Sequence, residues 1–462
     1  MKTLSAFVKR WFPRPGASGQ PSHGRIINQI CFLKHPEPNS KRPVLAIFCA
    51  ASPGEALTAS VTARHLRPER AILVFYTGHS GDPDYTRQII PELVRGYAWD
   101  NIHFMNINLE VKVQNLEAKL QHHGVFNEAV ERMRLQWEQR NEIRAWLDRE
   151  GILAQTRAVA SSELTLCYNT LIHFYINHML GLFPRARRVV FPHAINGLTA
   201  LAPETYKDVL SPRSVRTWIA TVSTFKVRRV LFSFLLKGMF RLGLNGTFIH
   251  PFSGSDAAYS LSGVTAKVPT TRLAAADLQC ILAAAAESDL VRDSLAKLQR
   301  ELPTNEFCIF CLSEYEEKNH WFPHDAHVQA VVKLMRKCAA TLNVKTFLVK
   351  PHPRTAWQNY EAILKEIHAT VPDFTLLEWP RDLAGFPIEV VLTRLNCRYT
   401  ASLASCAASP WACPRVVNLL STEIWRELVA LATEEGFSLK GIAEEIVMTG
   451  SAVNIDTYSS PR

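Results

Sequence analysis

Short apolar runs recur along the chain, and several break off into proline, glycine or small hydroxyl residues. The first spans residues 43–49 and leads into Ala50-Ala51-Ser52-Pro53-Gly54-Glu55, followed by helical spacing over 57–66. Runs at 71–76 and 101–107, with helical pattern between them, predict a βαβαβ order. A charged helical stretch over 115–150 comes next, then residues 157–162. The apolar spacing of 164–182 predicts one helix, and 188–191 predicts a strand. Polar and alanine-rich sequence over 260–301, including 272–286, predicts a helical crossover. A second half then repeats the order. It has a strand over 306–312, a helix over His324–Leu342, a strand over Thr346–Lys350, a strand over 415–420, and closing helices over 422–434 and 439–447. A strand, a tight small-residue turn and a helix is how a Rossmann-like half begins, so the pattern predicts an α/β protein with two such halves.

Composition sets the scale. A chain of 462 residues, 47% hydrophobic and 20% charged, has room for two or three cores and is not a disordered polymer. Its net charge of +10 favours anionic partners, without choosing among phosphates, acidic glycans, lipid and nucleic acid. Ten cysteines without a secretory leader suit a reducing compartment better than a disulfide framework. Cys308 and Cys311 form a C-x-x-C, but inside an apolar run that reads as a buried strand rather than a zinc site.

No apolar run reaches the roughly twenty residues needed to span a bilayer. Residues 1–12 mix Phe, Trp and basic side chains as an interfacial anchor does, and residues 13–40 are rich in Pro, Gly and Ser. Residues 207–241 interleave Lys207, Arg213, Arg216, Lys226, Arg228, Arg229, Lys237 and Arg241 with large apolar side chains. That is a pattern for anionic lipid, for a polyanionic acceptor, or for two core helices with solvated basic faces.

The strongest chemical signal runs from Thr346 to Leu403. The strand over Thr346–Lys350 stops in Lys350-Pro351-His352-Pro353, whose prolines fix φ around His352 and hold the imidazole at a strand's carboxyl end. That end is where open α/β sheets bind ligands. Next come Pro387-Ile388-Glu389, opening a short apolar helix, and Tyr399-Thr400-Ala401-Ser402, a strand breaking into hydroxyl residues. A carboxylate for a sugar hydroxyl and donors for a phosphate suit a nucleotide-sugar pocket. Ser313, after the 306–312 strand, is a further candidate donor to phosphate or ribose.

This ordered trio resembles the C-terminal half of bacterial sialyltransferases, both the capsule polysialyltransferases and the lipooligosaccharide enzymes. The resemblance implies a GT-B fold, with two Rossmann-like domains facing across a cleft, and CMP-sialic acid as donor, with no further cofactor and no metal. It assigns His352 as the phosphate-side general acid, Glu389 to the donor, and Thr400 and Ser402 to the phosphate. Lys350 and Pro353 stand beside them. In the first half, Ser52 resembles the family's Ser/Thr-Pro turn on the acceptor side. There the family carries an acidic pair before a glycine, whereas this chain has Pro192-His193-Ala194-Ile195-Asn196-Gly197. Asn196 cannot take a proton, so the base is expected to be His193, or a carboxylate such as Glu204 or Asp208.

The expected organisation is an N-terminal segment over 1–40, an acceptor domain over 41–270 holding the 207–241 insertion, crossover helices over 271–304, and a nucleotide-sugar domain over 305–462. The expected activity is inverting transfer of a nonulosonate to a glycan or glycolipid in capsule or surface-glycan synthesis. The alternatives are a Kdo or polyol-phosphate transferase and a decayed nucleotide-binding relative. The expected location is the cytoplasm, with peripheral attachment to the inner face of the membrane through 1–12 and 207–241, and no specific nucleic-acid partner.

Overall fold

The computed structural model describes residues 42–78, 82–107, 125–169, 174–192, 256–261, 270–302, 307–312, 321–353, 355–403, 412–433, 440–448 and 450–458. Two parallel sheets organise them. The first has the order β3-β2-β1-β4-β5-β6-β7, built from β1 (Leu45–Ala50), β2 (Arg70–Tyr76), β3 (Asn101–Met105), β4 (Leu164–Asn169), β5 (Arg187–Phe191), β6 (Ala257–Ser260) and β7 (Thr270–Arg272). The second has the order β10-β9-β8-β11-β12-β13, built from β8 (Phe307–Cys311), β9 (Thr346–Lys350), β10 (Thr375–Glu378), β11 (Tyr399–Ala401), β12 (Val417–Leu420) and β13 (Val453–Asn454). Each begins mid-sheet, grows outward to one edge, then reverses, so each is a Rossmann-like doubly wound sheet. The protein is therefore α/β with two Rossmann-like domains, the GT-B plan.

Helices cover both faces of the first sheet. One side carries α1 (Pro53–Leu66) and α2 (Pro83–Leu93); the other carries α3 (Val125–Arg149), α4 (Ile152–Arg157) and α5 (Phe174–Leu182). Every residue of β1 is buried, which is why its sequence is a continuous apolar run without alternation. The same condition overturns the single helix expected over 164–182. Its first part is β4, buried along its whole length, and only Phe174–Leu182 is helical. A strand buried on both faces lacks the period of two that would set it apart from a buried helix.

The crossover expected over 260–301 opens with the short strand β7, then forms α6 (Ala275–Ala286) and α7 (Asp289–Glu301). Helix α6 packs against α1 and α2 of the first domain and against α10 (Ile388–Leu392) of the second. One continuous apolar cluster consequently runs from the α1 face of the first sheet, through α6 and α7, into the core of the second domain. That second domain is completed by α8 (His324–Leu342), α9 (Trp357–Thr370), α11 (Thr422–Ala430) and α12 (Ile442–Met448). Cys308 and Cys311 are buried in β8, as the apolar run predicts. Among the described residues, no helix is long and apolar enough to cross a membrane.

Candidate active site at the strand ends

In the second sheet the order reverses between β8 and β11, and ligands of doubly wound sheets bind beyond the carboxyl ends of the strands at that reversal. Parallel register brings two of the predicted residues, Lys350 and Ser402, to this edge. Lys350 pairs with Cys311, and Ala401 pairs with Phe310. Lys350, Cys311 and Ser402 therefore occupy one rung across β9, β8 and the end of β11. Ser402 is buried and its backbone N–H donates to the Leu419 carbonyl at 3.1 Å.

His352 lies two residues beyond this rung and is half-buried, while Pro353 is exposed. The His352 carbonyl accepts from Thr355 N–H at 2.9 Å, which closes the proline turn, and Leu312 N–H donates to the Lys350 carbonyl at 2.9 Å. The strand end is therefore held from both sides.

Lys350 is only 4% exposed. Its Nζ donates to the Pro351 carbonyl at 3.0 Å and stands 5.4 Å from the centre of the Trp379 ring. Burial pushes the ammonium below the ordinary lysine range, while nearby Cys311 and Glu389 favour its charge. Burial likewise pushes the Cys311 thiol up to about 12, against the pull of Lys350. Glu389, in the first turn of α10, is 7% exposed. A lysine, a glutamate and a thiol thus share one low-dielectric patch at the reversal point.

Two residues absent from the sequence prediction hold this patch. The Tyr360 hydroxyl donates to the Val349 carbonyl at 2.7 Å and accepts from Trp379 N–H at 2.9 Å. It ties the end of β9 to the backbone of Trp379, whose ring faces Lys350. Thr400 has a different setting from Ser402: it is fully buried, and its hydroxyl donates to Asn418 Oδ1 on β12. Asn418 Nδ2 in turn donates to the Ser451 carbonyl at 3.1 Å. Thr400 therefore ties neighbouring strands together.

The first sheet ends differently. Ser52 caps α1 by accepting from Glu55 N–H at 3.3 Å, and the Glu55 carboxylate reaches back to accept from Ala51 N–H at 2.5 Å. The pattern is Ser-x-x-Glu, but the glutamate holds the N–H of the residue before the cap rather than that of the cap itself, and Pro53 stands in the helix's first turn. The Ser52 turn read as acceptor-side is thus, in the first place, a helix cap. Thr58 on the same helix donates to the Pro192 carbonyl at 2.7 Å, pinning the end of β5. His193, Asn196, Gly197 and Ser313 lie outside the described residues, as do 1–12 and 207–241. Asp82-Pro83-Asp84 has the spacing of a metal motif but serves α2: the Asp82 carboxylate accepts from Tyr85 N–H at 2.9 Å. A groove of about 520 Å³ lined by Arg185, Arg187, Arg188 and Asp256 lies at the amino end of β5, in the first sheet.

No family model and no curated protein matches the chain. Among solved structures it is similar to an α/β-galactoside α-2,3-sialyltransferase from Photobacterium phosphoreum. Identity is 9%, coverage 90% of this chain and 98% of that one, and the TM-score 0.38. It is also similar to a UDP-GlcNAc 2-epimerase from Methanocaldococcus jannaschii, with 10% identity, coverage of 88% and 91%, and TM-score 0.41. A third is an α,α-trehalose-phosphate synthase from Burkholderia vietnamiensis, with 10% identity, coverage of 89% and 92%, and TM-score 0.36.

Proposed function

We propose that the protein is an inverting glycosyltransferase that moves a sialic acid, or a related nonulosonate, from a CMP-activated donor to a glycan acceptor. The observation that carries this reading is the rung shared by Lys350 and Ser402 at the reversal point of the second sheet, with Glu389 near enough to favour the charge of Lys350 and His352 two residues further along the chain. A cationic rung, a hydroxyl and an imidazole suit a nucleotide phosphate, and the Glu389 carboxylate suits a ribose or sugar hydroxyl.

In the proposed reaction the bond from the anomeric carbon to the phosphate oxygen breaks, and its electron pair stays on CMP. His352 gives a proton or a hydrogen bond to that oxygen as its charge grows. The acceptor hydroxyl attacks from the opposite face and loses its proton to a base, which inverts the centre. His193 is assigned that base, one residue past the Pro192 carbonyl that Thr58 holds. With the leaving group served by these side chains, the reading calls on no cofactor besides the donor. A basic segment at 207–241 would suit a polyanionic acceptor or an anionic membrane surface.

Thermal shift with CMP, CDP and UDP, followed by turnover on CMP-sialic acid, CMP-Kdo and CDP-glycerol, tests the proposal. The expected result is stabilisation by CMP and turnover of the CMP-nonulosonate. Turnover of CDP-glycerol alone would instead assign a polyol-phosphate transferase. Asn196 in place of a carboxylate favours one other reading, a nucleotide-binding protein without transfer. CMP binding with no turnover of any donor would establish that one.

A further inference from the structure

Helix α10, which carries Glu389, is short and is preceded by a turn through residues 381–386. That turn is not held by its own domain alone. Tyr85, on α2 of the first domain, places its hydroxyl between two of the turn's backbone groups. It donates to the Asp382 carbonyl at 2.9 Å and accepts from Gly385 N–H at 3.2 Å. Burial pushes the Tyr85 phenol up to about 12, so it stays protonated and able to donate across the physiological range.

An added side chain there would meet two side chains of α2. A Cβ on Gly385 would lie 2.5 Å from Ile89 Cδ1 and 2.9 Å from Tyr85 Cε1, both on α2. The glycine stands where two elements about 300 residues apart come close together. On the far side of α10, Arg394 forms an ion pair with Glu287 at the end of α6, and its carbonyl accepts from Gln299 Nε2 of α7 at 3.3 Å. Helix α10 is thus gripped before its first turn and after its last by elements outside the second sheet.

We propose that Tyr85 is a positioning residue, which seats the 382–386 turn against the first domain and so fixes where α10 presents Glu389. Its bearing on the donor rests on the assignment of Glu389 given under Proposed function. The seating itself does not. Tyr85→Phe keeps the ring on Gly385 and removes both hydrogen bonds to the turn. Gly385→Ala makes the Ile89 methyl and the Tyr85 ring give way to an added methyl.

Hydrogen exchange on the full chain without nucleotide reads the seating directly. Exchange of the amides over 386–392 should rise about tenfold in Tyr85→Phe and to a smaller extent in Gly385→Ala, with β8 and β9 unchanged. Arg87→Ala, on an exposed neighbouring position of α2, should leave those amides as they were. Unchanged exchange at 386–392 in Tyr85→Phe, or a rise spread evenly through β8 and β9, would overturn the seating.

CMP titration then reads the link to the donor. Tyr85→Phe should weaken CMP about fivefold in the wild-type background and less than twofold in the Glu389→Gln background. Equal losses in both backgrounds, with CMP bound by the wild type, would overturn the positioning of Glu389. No CMP binding by the wild type would overturn the nucleotide reading and the donor link with it, leaving exchange to decide the seating.

Discussion

The two sheets share one order of their first six strands, yet β1 of the first and β9 of the second end in opposite chemistry. At the end of β1 stands a carboxylate, Glu55, absorbed into the cap of α1 through Ser52 and Ala51. At the end of β9 stands an ammonium, Lys350, buried beside Cys311 and Glu389 and followed by His352 in a proline turn. The first arrangement satisfies its own groups and fastens a helix. The second gathers charge and an imidazole at a place where topology leaves a crevice, and it is the better candidate for chemistry.

The largest effect that would sharpen this contrast is on turnover. His352→Ala should lower transfer from the CMP donor by about 10²–10⁴-fold while the unfolding midpoint holds, because the half-buried ring closes no core. Near-normal turnover would remove the distinction between the sheets. On the other side, Glu55→Ala should cost about 2 kcal/mol in chemical denaturation, since it deletes a charge-assisted hydrogen bond from a buried backbone N–H. A loss below a few tenths would mean the cap is not what holds β1 to α1. Thr400→Val should cost about 1 kcal/mol by removing the hydroxyl that Asn418 accepts from, and Thr400→Ser should restore it. If Thr400→Val instead weakened CMP without touching stability, Thr400 would belong with the phosphate ligands.

The smallest expected effect is a pH dependence. Lys350 is held below its ordinary value by burial, so over the interval beneath that value the unfolded chain carries a proton the folded chain has shed. Its contribution to stability therefore grows as pH rises toward the ordinary lysine range. The difference in unfolding free energy between wild type and Lys350→Met should increase over that interval, which also cancels the titration of the buried thiols and phenols common to both. A flat difference curve would mean that Lys350 is solvated.

Much of this was legible in the chain. Pro351 and Pro353 announce a strand end because a proline ring removes a ladder donor and fixes φ wherever it occurs. Ser52-Pro53-Gly54-Glu55 also carried its meaning locally, as a helix cap, although a turn after a first strand invites reading as a substrate loop. The segment 164–182 misleads for a nonlocal reason: β4 is sheathed by helices on both faces, which erases alternation. The short strands β6 and β7 give too few residues for any period to show.

Sequence by itself determined the identities and spacing: an imidazole between two prolines, a glutamate opening a short helix, hydroxyls after a third strand, and apolar runs enough for two sheets. Tertiary structure alone decided which groups share a rung, that Lys350 would be stripped of water above Trp379, and that Tyr85 would meet Gly385. Backbone rules act over a few residues, whereas desolvation and close approach depend on what distant segments bring to the same place.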